Sequence, residues 1–326
     1  MTWLTWRQHR AEATVLALLV AVAAAVLLLL GTSMHGLFPH GVARCAGGSV
    51  AEGCAVALQR LWEEHGYASK MLSLFNLLPF VIGAFLGAPL LARELETGTW
   101  QLAWTQSVPR MRWLAVKLAA LGSLAVVLTL ALSAVVTWYR HPLDVLDGRF
   151  TADAFDLEGV VPAAYALFAF AFAAAAGVLL RRSLPALAAA LAAFLAVRVA
   201  VAGALRPYYA SPQTLANPVT AGDTTVDVGG PRTSTGNHLD WILATGYSDA
   251  AGRRLGLAEV YHMDQDARRS GLDLATHLRD RGVLQWVEFH PAERFWTFQL
   301  IEAALFLSLT AALLMVVVWR VRRRAL

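Results

Sequence analysis

The side chains able to do chemistry in this sequence are few and scattered. Four histidines, His238, His262, His277 and His290, share one segment with Asp264 and Asp266. Imidazole and carboxylate are common metal ligands. Their spacing here matches no tight ligand motif, and solvated or capping histidines account for them, so no metal site is expected. The "GYS" run at 246–248 is not framed as a nucleophile elbow. No G-x-x-x-x-G-K-[ST] loop occurs, so the sequence holds no such cradle for nucleotide phosphates. Neither enzymatic activity, a cofactor nor a nucleic-acid partner is expected of it.

Two charged residues stand inside long apolar runs, where a charge is costly and asks for a partner. Arg198 and Glu302 each lie about seven residues from the outer end of their run. At 1.5 Å per residue both sit roughly 10 Å below that boundary. Equal depth and opposite sign read either as an ion pair between two helices or as two side chains that snorkel separately. Lys117, near the inner end of another run, is expected to snorkel. The only two cysteines, Cys45 and Cys54, fall in one short polar loop. They read either as a local disulfide or as two unrelated buried thiols, and their absence from every apolar run favours the bridge.

The elements that must position these residues follow from composition. The chain has 326 residues, 57% hydrophobic and only 15% charged, with a mean hydropathy of +0.52. A soluble domain is nearer half apolar and a quarter charged, so the class is a polytopic membrane protein. A spanning helix needs about 20 apolar residues, and six segments qualify: 13–30, 71–92, 113–138, 160–180, 184–205 and 295–319. The fold expected is therefore all-α, with six transmembrane helices.

Orientation follows from basic residues near span ends. Arg7 and Arg10, then Arg93, Arg110 and Arg112, then Arg181 and Arg182, then Arg320, Arg322, Arg323 and Arg324 all fall on one side if both termini are cytoplasmic. The opposite side is richer in acids, among them Glu63, Asp144, Asp153 and Asp156. The segment 206–294 is too long for a bare loop and reads as a small extracytoplasmic cap. Within it "LDLATHLRDRG" reads as a short helix ended by Gly282, and "LQWVEFHP" as an extended stretch closed by Pro291. No internal repeat is present.

Between the second and third spans runs "ARELETGTWQLAWTQSVPRMRWLAVK", residues 92–117. Gly98 can end a helix in the left-handed conformation, and Thr99 is a good N-cap for a new one. Trp100, Ala103 and Trp104 then share a face, which suits a short helix at the headgroups over 99–107. Pro109 fits the first turn of the third span. The stretch reads either as an ordinary connector or as a handle gripped by another protein. "WLTWRQHR" near the N-terminus reads likewise, as an interfacial elbow or as a belt-and-anchor sequence. Pro79, Gly83, Gly87 and Pro89 interrupt the second span and mark either close helix packing or a moving interface.

On these residues the sequence resembles the permease subunits of ABC-2 type exporters, in a subfamily common in GC-rich bacteria. The resemblance is carried by Glu94, Glu96, Gly98 and Thr99, then Ser107 and Arg110, then Lys117. It extends to "TWRQHRAEA", "RFTADAFDLEGVVPAAYALFAFAF" and "ERFWTFQLIEAALF". The outer segment is larger than the minimal family pattern.

The resemblance implies a cytoplasmic coupling helix over 99–107, with Glu94, Glu96, Gly98, Thr99, Trp100, Trp104, Ser107 and Arg110 meeting the partner. That partner would be a separate ABC ATPase subunit, and a second permease chain would pair with this one in a bacterial plasma membrane. The cargo would be apolar or amphipathic. An ion-coupled secondary transporter, or a non-transporting sensor or assembly protein built around 206–294, remains as an alternative.

Overall fold

A chain segment in hydrocarbon must satisfy its own backbone, which a helix does and an extended strand does not. In the computed structural model, which describes residues 2–38, 41–42, 45, 54–66, 68–97, 109–219, 237 and 239–323, the apolar runs are all helical. Six helical stretches among the described residues are long and apolar enough to cross a membrane: Trp6–Gly36, Leu72–Leu90, Arg110–Leu146, Val161–Leu180, Ser183–Tyr208 and Ala292–Arg323. The chain divides into two compact units. One comprises Met1–Asp144, Thr151–Arg206 and Trp296–Leu326; the other comprises Val145–Phe150 and Pro207–Phe295.

The first unit holds the spans. Helix α1 runs unbroken over Thr2–Gly36, so "WLTWRQHR" forms the opening turns of the first span rather than a separate elbow. Helices α2 (Cys54–His65) and α3 (Ala68–Phe75) follow. Cys45 and Cys54 form a disulfide, with their Cα atoms 5.4 Å apart. Helix α4 (Leu78–Thr97) continues the second span after a break at Asn76 and Leu77. Helix α5 is Arg110–Asp147, α6 the single turn Ala152–Phe155, α7 Val161–Leu180 and α8 Ser183–Ala200. A π turn, Val201–Leu205, extends α8. The last helix of the chain, Phe295–Arg323, is α11.

Helix α7 is the centre of this unit. It is Ala-rich, and nearly every side chain from Val161 to Val178 is buried. Small residues let membrane helices approach closely, which substitutes for the hydrophobic effect that lipid cannot supply. Helix α4 shows how close: a Cβ added to Gly83 would strike the Ala166 carbonyl, and one on Gly87 the Phe170 carbonyl. The two glycines are thus required where α4 lies against α7. Phe80, Tyr165, Phe168, Phe194 and Phe306 interlock across α4, α7, α8 and α11, with ring centroids 4.6–6.5 Å apart.

The second unit contains a three-stranded antiparallel sheet of β1 (Gln213–Pro218), β2 (Trp241–Ser248) and β3 (Leu284–His290), in the order β1-β3-β2. β3 is the extended stretch closed by Pro291. Helices α9 (Leu257–Arg269) and α10 (Leu274–Asp280) precede it. The Glu259 side chain caps α9 by accepting from Gly256 N–H (2.9 Å), and Asp273 caps α10 by accepting from Thr276 N–H (3.1 Å). Gly282, at φ 69°, ends the run after α10. Val219, Tyr247, Val260, Ala275, Leu278 and Val283 form the core of this unit. The sheet adds a small β element to a mostly helical chain.

Candidate functional site

A buried charge persists only when it is paired and hydrogen-bonded, and the first unit contains a connected set of such charges. Its hub is the link between α5 and α7. Residues 154–158 of that link are buried although they include Asp156 and Glu158. Gly159, at φ 68°, turns the chain into α7. Gln299 of α11 holds this turn in place. Its Oε1 accepts from the N–H groups of Val160 (3.2 Å) and Val161 (3.1 Å), and its Nε2 donates to the Phe155 carbonyl (2.8 Å). A side chain from the last span thereby satisfies orphan donors at the α7 N-terminus.

Asp156 is the common acceptor. Arg206 donates to its Oδ1 (2.5 Å) and Arg198 to its Oδ2 (2.8 Å). Arg206 also forks onto Glu302, at 2.9 Å from Nε and 2.8 Å from Nη2. The Tyr165 hydroxyl donates to Glu302, accepts from Arg206 (3.2 Å) and lies 3.2 Å from Asp156. Arg198 donates in addition to the Asn76 carbonyl (2.6 Å), at the break in the second span. Backbone freed by a helix break inside a membrane needs such a partner. Two guanidinium groups and two carboxylates balance, and the bidentate fork is the strongest geometry available to them.

A second cluster joins the same link to α5. Arg140, 1% exposed, donates to Asp144 (3.1 Å), Glu158 (3.2 Å) and Asp153 (2.7 Å). Ser133 of α5 also donates to the Gly159 carbonyl (3.0 Å). The link therefore clasps the second to sixth spans. It is a mechanical junction, and its polar groups are turned toward one another.

Arg198 and Glu302 belong to one network, with Asp156 and Arg206 between them. Neither snorkels alone. Arg206, Asp156 and Tyr165 escaped the sequence reading. Arg206 stood at the start of the long segment, and Asp156 among the acids of the outer side. The signal present was "DAFDLE", three acids among apolar neighbours in a link flanked by two spans. Phe155 is fully buried beneath the Arg206 guanidinium, 4.1 Å from ring centroid to Cζ.

At the other end of the spans, α4 ends at Thr97 with Glu94 and Glu96 in its last turns. Glu96 accepts from the Ser183 N–H (2.8 Å) and hydroxyl (3.0 Å), and so caps the N-terminus of α8. Arg93, three residues earlier, donates to Glu12 of α1 (3.1 Å). Arg110 is exposed in the first turn of α5. Gly98, Thr99, Trp100, Trp104 and Ser107, and with them the expected helix over 99–107, lie outside the described residues. Lys117 does not snorkel: it is 1% exposed, with Nζ 4.5 Å from the Trp113 ring centroid. An aromatic face one turn away accepts the ammonium. Among the described residues no cluster of histidine, cysteine and acid side chains could hold a metal.

Six spans with a central small-residue helix and a junction of buried, paired charges define a multi-pass membrane protein. Residues 17–206 match the family described as ABC-2 membrane transporter related. The match covers more than half of the chain, and the chain belongs to that family. It is a permease of the ABC type, a class that works with an ABC ATPase subunit. No curated protein and no solved structure matches it.

Proposed function

We propose that this chain is the membrane subunit of an exporter driven by ATP hydrolysis on a separate chain. The force would enter through residues 99–107, acting as a cytoplasmic coupling helix. Both termini would lie in the cytoplasm of a bacterium, and 206–294 outside it. Two permease chains would enclose the path between their second and fifth spans. The apolar faces there suit an apolar or amphipathic cargo. The Asp156 and Glu302 carboxylates do not favour ion coupling, because each already faces a guanidinium.

One observation carries the reading: the double contact of Glu96 with Ser183. The segment 98–108 leaves α4 two residues after Glu96. A push on that segment is therefore delivered at once to α8, and through Arg93 and Glu12 to α1. Glu96 acts in this reading as the internal lever arm, while Glu94 and Arg110 stand with the segment that meets the ATPase.

The test is co-purification. A separate ABC ATPase should come down with this chain from gently solubilised membranes. Charge reversal by Glu94→Arg should reduce the recovered ATPase several-fold and leave membrane insertion intact. Glu96→Gln should keep the ATPase bound while lowering transport-coupled ATP hydrolysis. Unchanged ATPase recovery in Glu94→Arg would count against the coupling segment. A cysteine at position 104 that reacts only with reagent outside intact cells would reverse the topology.

A further inference from the structure

Away from the junction, α1 and α5 enclose a cleft of about 400 Å³, within the ~300–1,000 Å³ that small-molecule sites occupy. Trp6, His9 and Ala13 line it from α1, at spacings that put them on one helix face. Leu121, Ser123 and Val127 are among the α5 residues opposite. The Ser123 hydroxyl is already spent, donating to the Ala120 carbonyl (3.0 Å). His9 is not: it is 5% exposed, and neither ring nitrogen has a hydrogen-bond partner among the described residues. A second such group lies one turn along α1. Glu12 gives its Oε1 to Arg93 (3.1 Å), while its Oε2 is buried without a partner among the described residues. Buried polar groups in folded proteins are nearly always paired. An imidazole N–H wanting an acceptor and a carboxylate oxygen wanting a donor, on adjacent turns of one helix, point to a ligand group that serves both.

The surroundings indicate its chemistry. Lys117, Glu12 and Arg93 all lie within electrostatic reach of His9. The Glu12 carboxylate opposes an anion, and the two cations oppose a third positive charge, so a neutral group fits. A carbonyl or ether oxygen can only accept, whereas a hydroxyl accepts from the imidazole and donates to the carboxylate at once. The remainder of the ligand meets Ala13, Leu121, Leu124 and Val127 and must be apolar. Trp6 and Val127, on the cleft walls, are themselves exposed, so the cleft is open to the bilayer around the two spans.

We infer that this cleft binds one neutral, hydroxyl-bearing amphipath drawn from the bilayer, of the long-chain alcohol class. Its hydroxyl accepts from the His9 N–H and donates to Glu12 Oε2, and its apolar body lies along the groove between α1 and α5. The head of the ligand is thereby held beside the Glu12–Arg93 pair that ties α4 to α1. Binding of this kind goes beyond the exporter reading and does not depend on it.

Photolabelling of the full-length protein in detergent tests it, with tetradecanol carrying a diazirine in its chain as the probe. Labelling should saturate and map by peptide mass spectrometry to the cleft-lining residues of α1 and α5. Unlabelled tetradecanol should displace the probe at concentrations roughly tenfold or more below those needed of tetradecane, tetradecanoate or tetradecylammonium, the scale of one buried hydrogen bond. His9→Leu, which suits the apolar walls and keeps the fold, should erase that preference. His9→Gln, which keeps a donor and an acceptor, should stay close to the wild type. Ser123→Trp, an exposed position whose larger side chain fills the groove, should abolish the cleft label. Equal displacement by tetradecane would overturn the assignment, because the groove would then read only apolar surface and His9 would be left to water. Stronger displacement by the carboxylate or the ammonium would overturn it too, as would a preference for the alcohol that survives His9→Leu or a label that survives Ser123→Trp.

Discussion

Removing Arg206 gives the sharpest view of the junction. With Arg206→Met, Arg198 alone faces the two carboxylates Asp156 and Glu302. Glu302, 1% exposed on its side chain, loses both donors of the fork. Breaking one partner of a buried pair costs about 3–5 kcal/mol, because a buried charge is left uncompensated. Glu302→Leu alone strands Arg206 against Asp156 and should cost a similar amount. The double variant leaves Arg198 with Asp156 at 2.8 Å, again in balance. Its loss should fall short of the sum by about 2–3 kcal/mol, the upper range for directly coupled residues. The pair Arg198 and Glu302 touches through Asp156 and Arg206, so its coupling should stay under about 1 kcal/mol by the same reasoning. Reversible unfolding in mixed micelles, followed by helical circular dichroism, supplies the four corners of each cycle. Arg198 and Glu302 coupling as strongly as Arg206 and Glu302 would refute the relay through Asp156.

Two other measurements bear on the loop and on the sheet-bearing unit. The Cys45–Cys54 bridge closes a loop of nine-residue separation, which by chain entropy is worth roughly 2–3 kcal/mol. The Cys45→Ser, Cys54→Ser chain should melt correspondingly lower, and wild-type thiols should alkylate only after reduction. In the second unit, Arg294 donates to His290 Nδ1 (3.2 Å), so Nε2 carries the proton and donates to the Pro207 carbonyl (2.8 Å). Burial pushes the His290 imidazole below its ordinary 6.5, the Pro207 bond opposes this, and Arg294 adds to it. The unfolded chain then binds the proton first, so stability of this unit should fall as pH drops below about 6.5. His290→Gln should flatten that slope in hydrogen exchange of β3 amides. A second loss is expected near and below pH 4 as Glu259 and Asp273 protonate. Gly256 N–H holds Glu259 below its ordinary range, and the Thr276 side chain and N–H do the same for Asp273. An unchanged slope in the His290 variant would remove the imidazole from this account.

The sequence was sufficient for everything that depends on a local run of residues. Some 20 apolar residues in a row have one solution in lipid, so the six spans were legible in composition alone. Two cysteines in one short loop were enough to favour their bridge. Capping and termination around Asp273 and Gly282 were equally local, because the groups that satisfy a helix end lie within a few residues of it. Tertiary structure decided which charges meet. Along a regular helix the eight residues from Arg198 to Arg206 turn through about 800°, leaving them ~80° apart. The π turn at Val201–Leu205 absorbs about one extra residue and brings both guanidinium groups to the same side. Asp156 looked like one more solvent-side acid because nothing in its neighbours reveals that Gln299 and Glu302, some 140 residues later, close over it. Likewise Glu96 was expected to meet a partner chain, and only the fold brings Ser183 to its carboxylate. Pairings of this kind are set by helix register and close backbone approach, at Gly83 and Gly87 above all, and those are properties of helices already assembled.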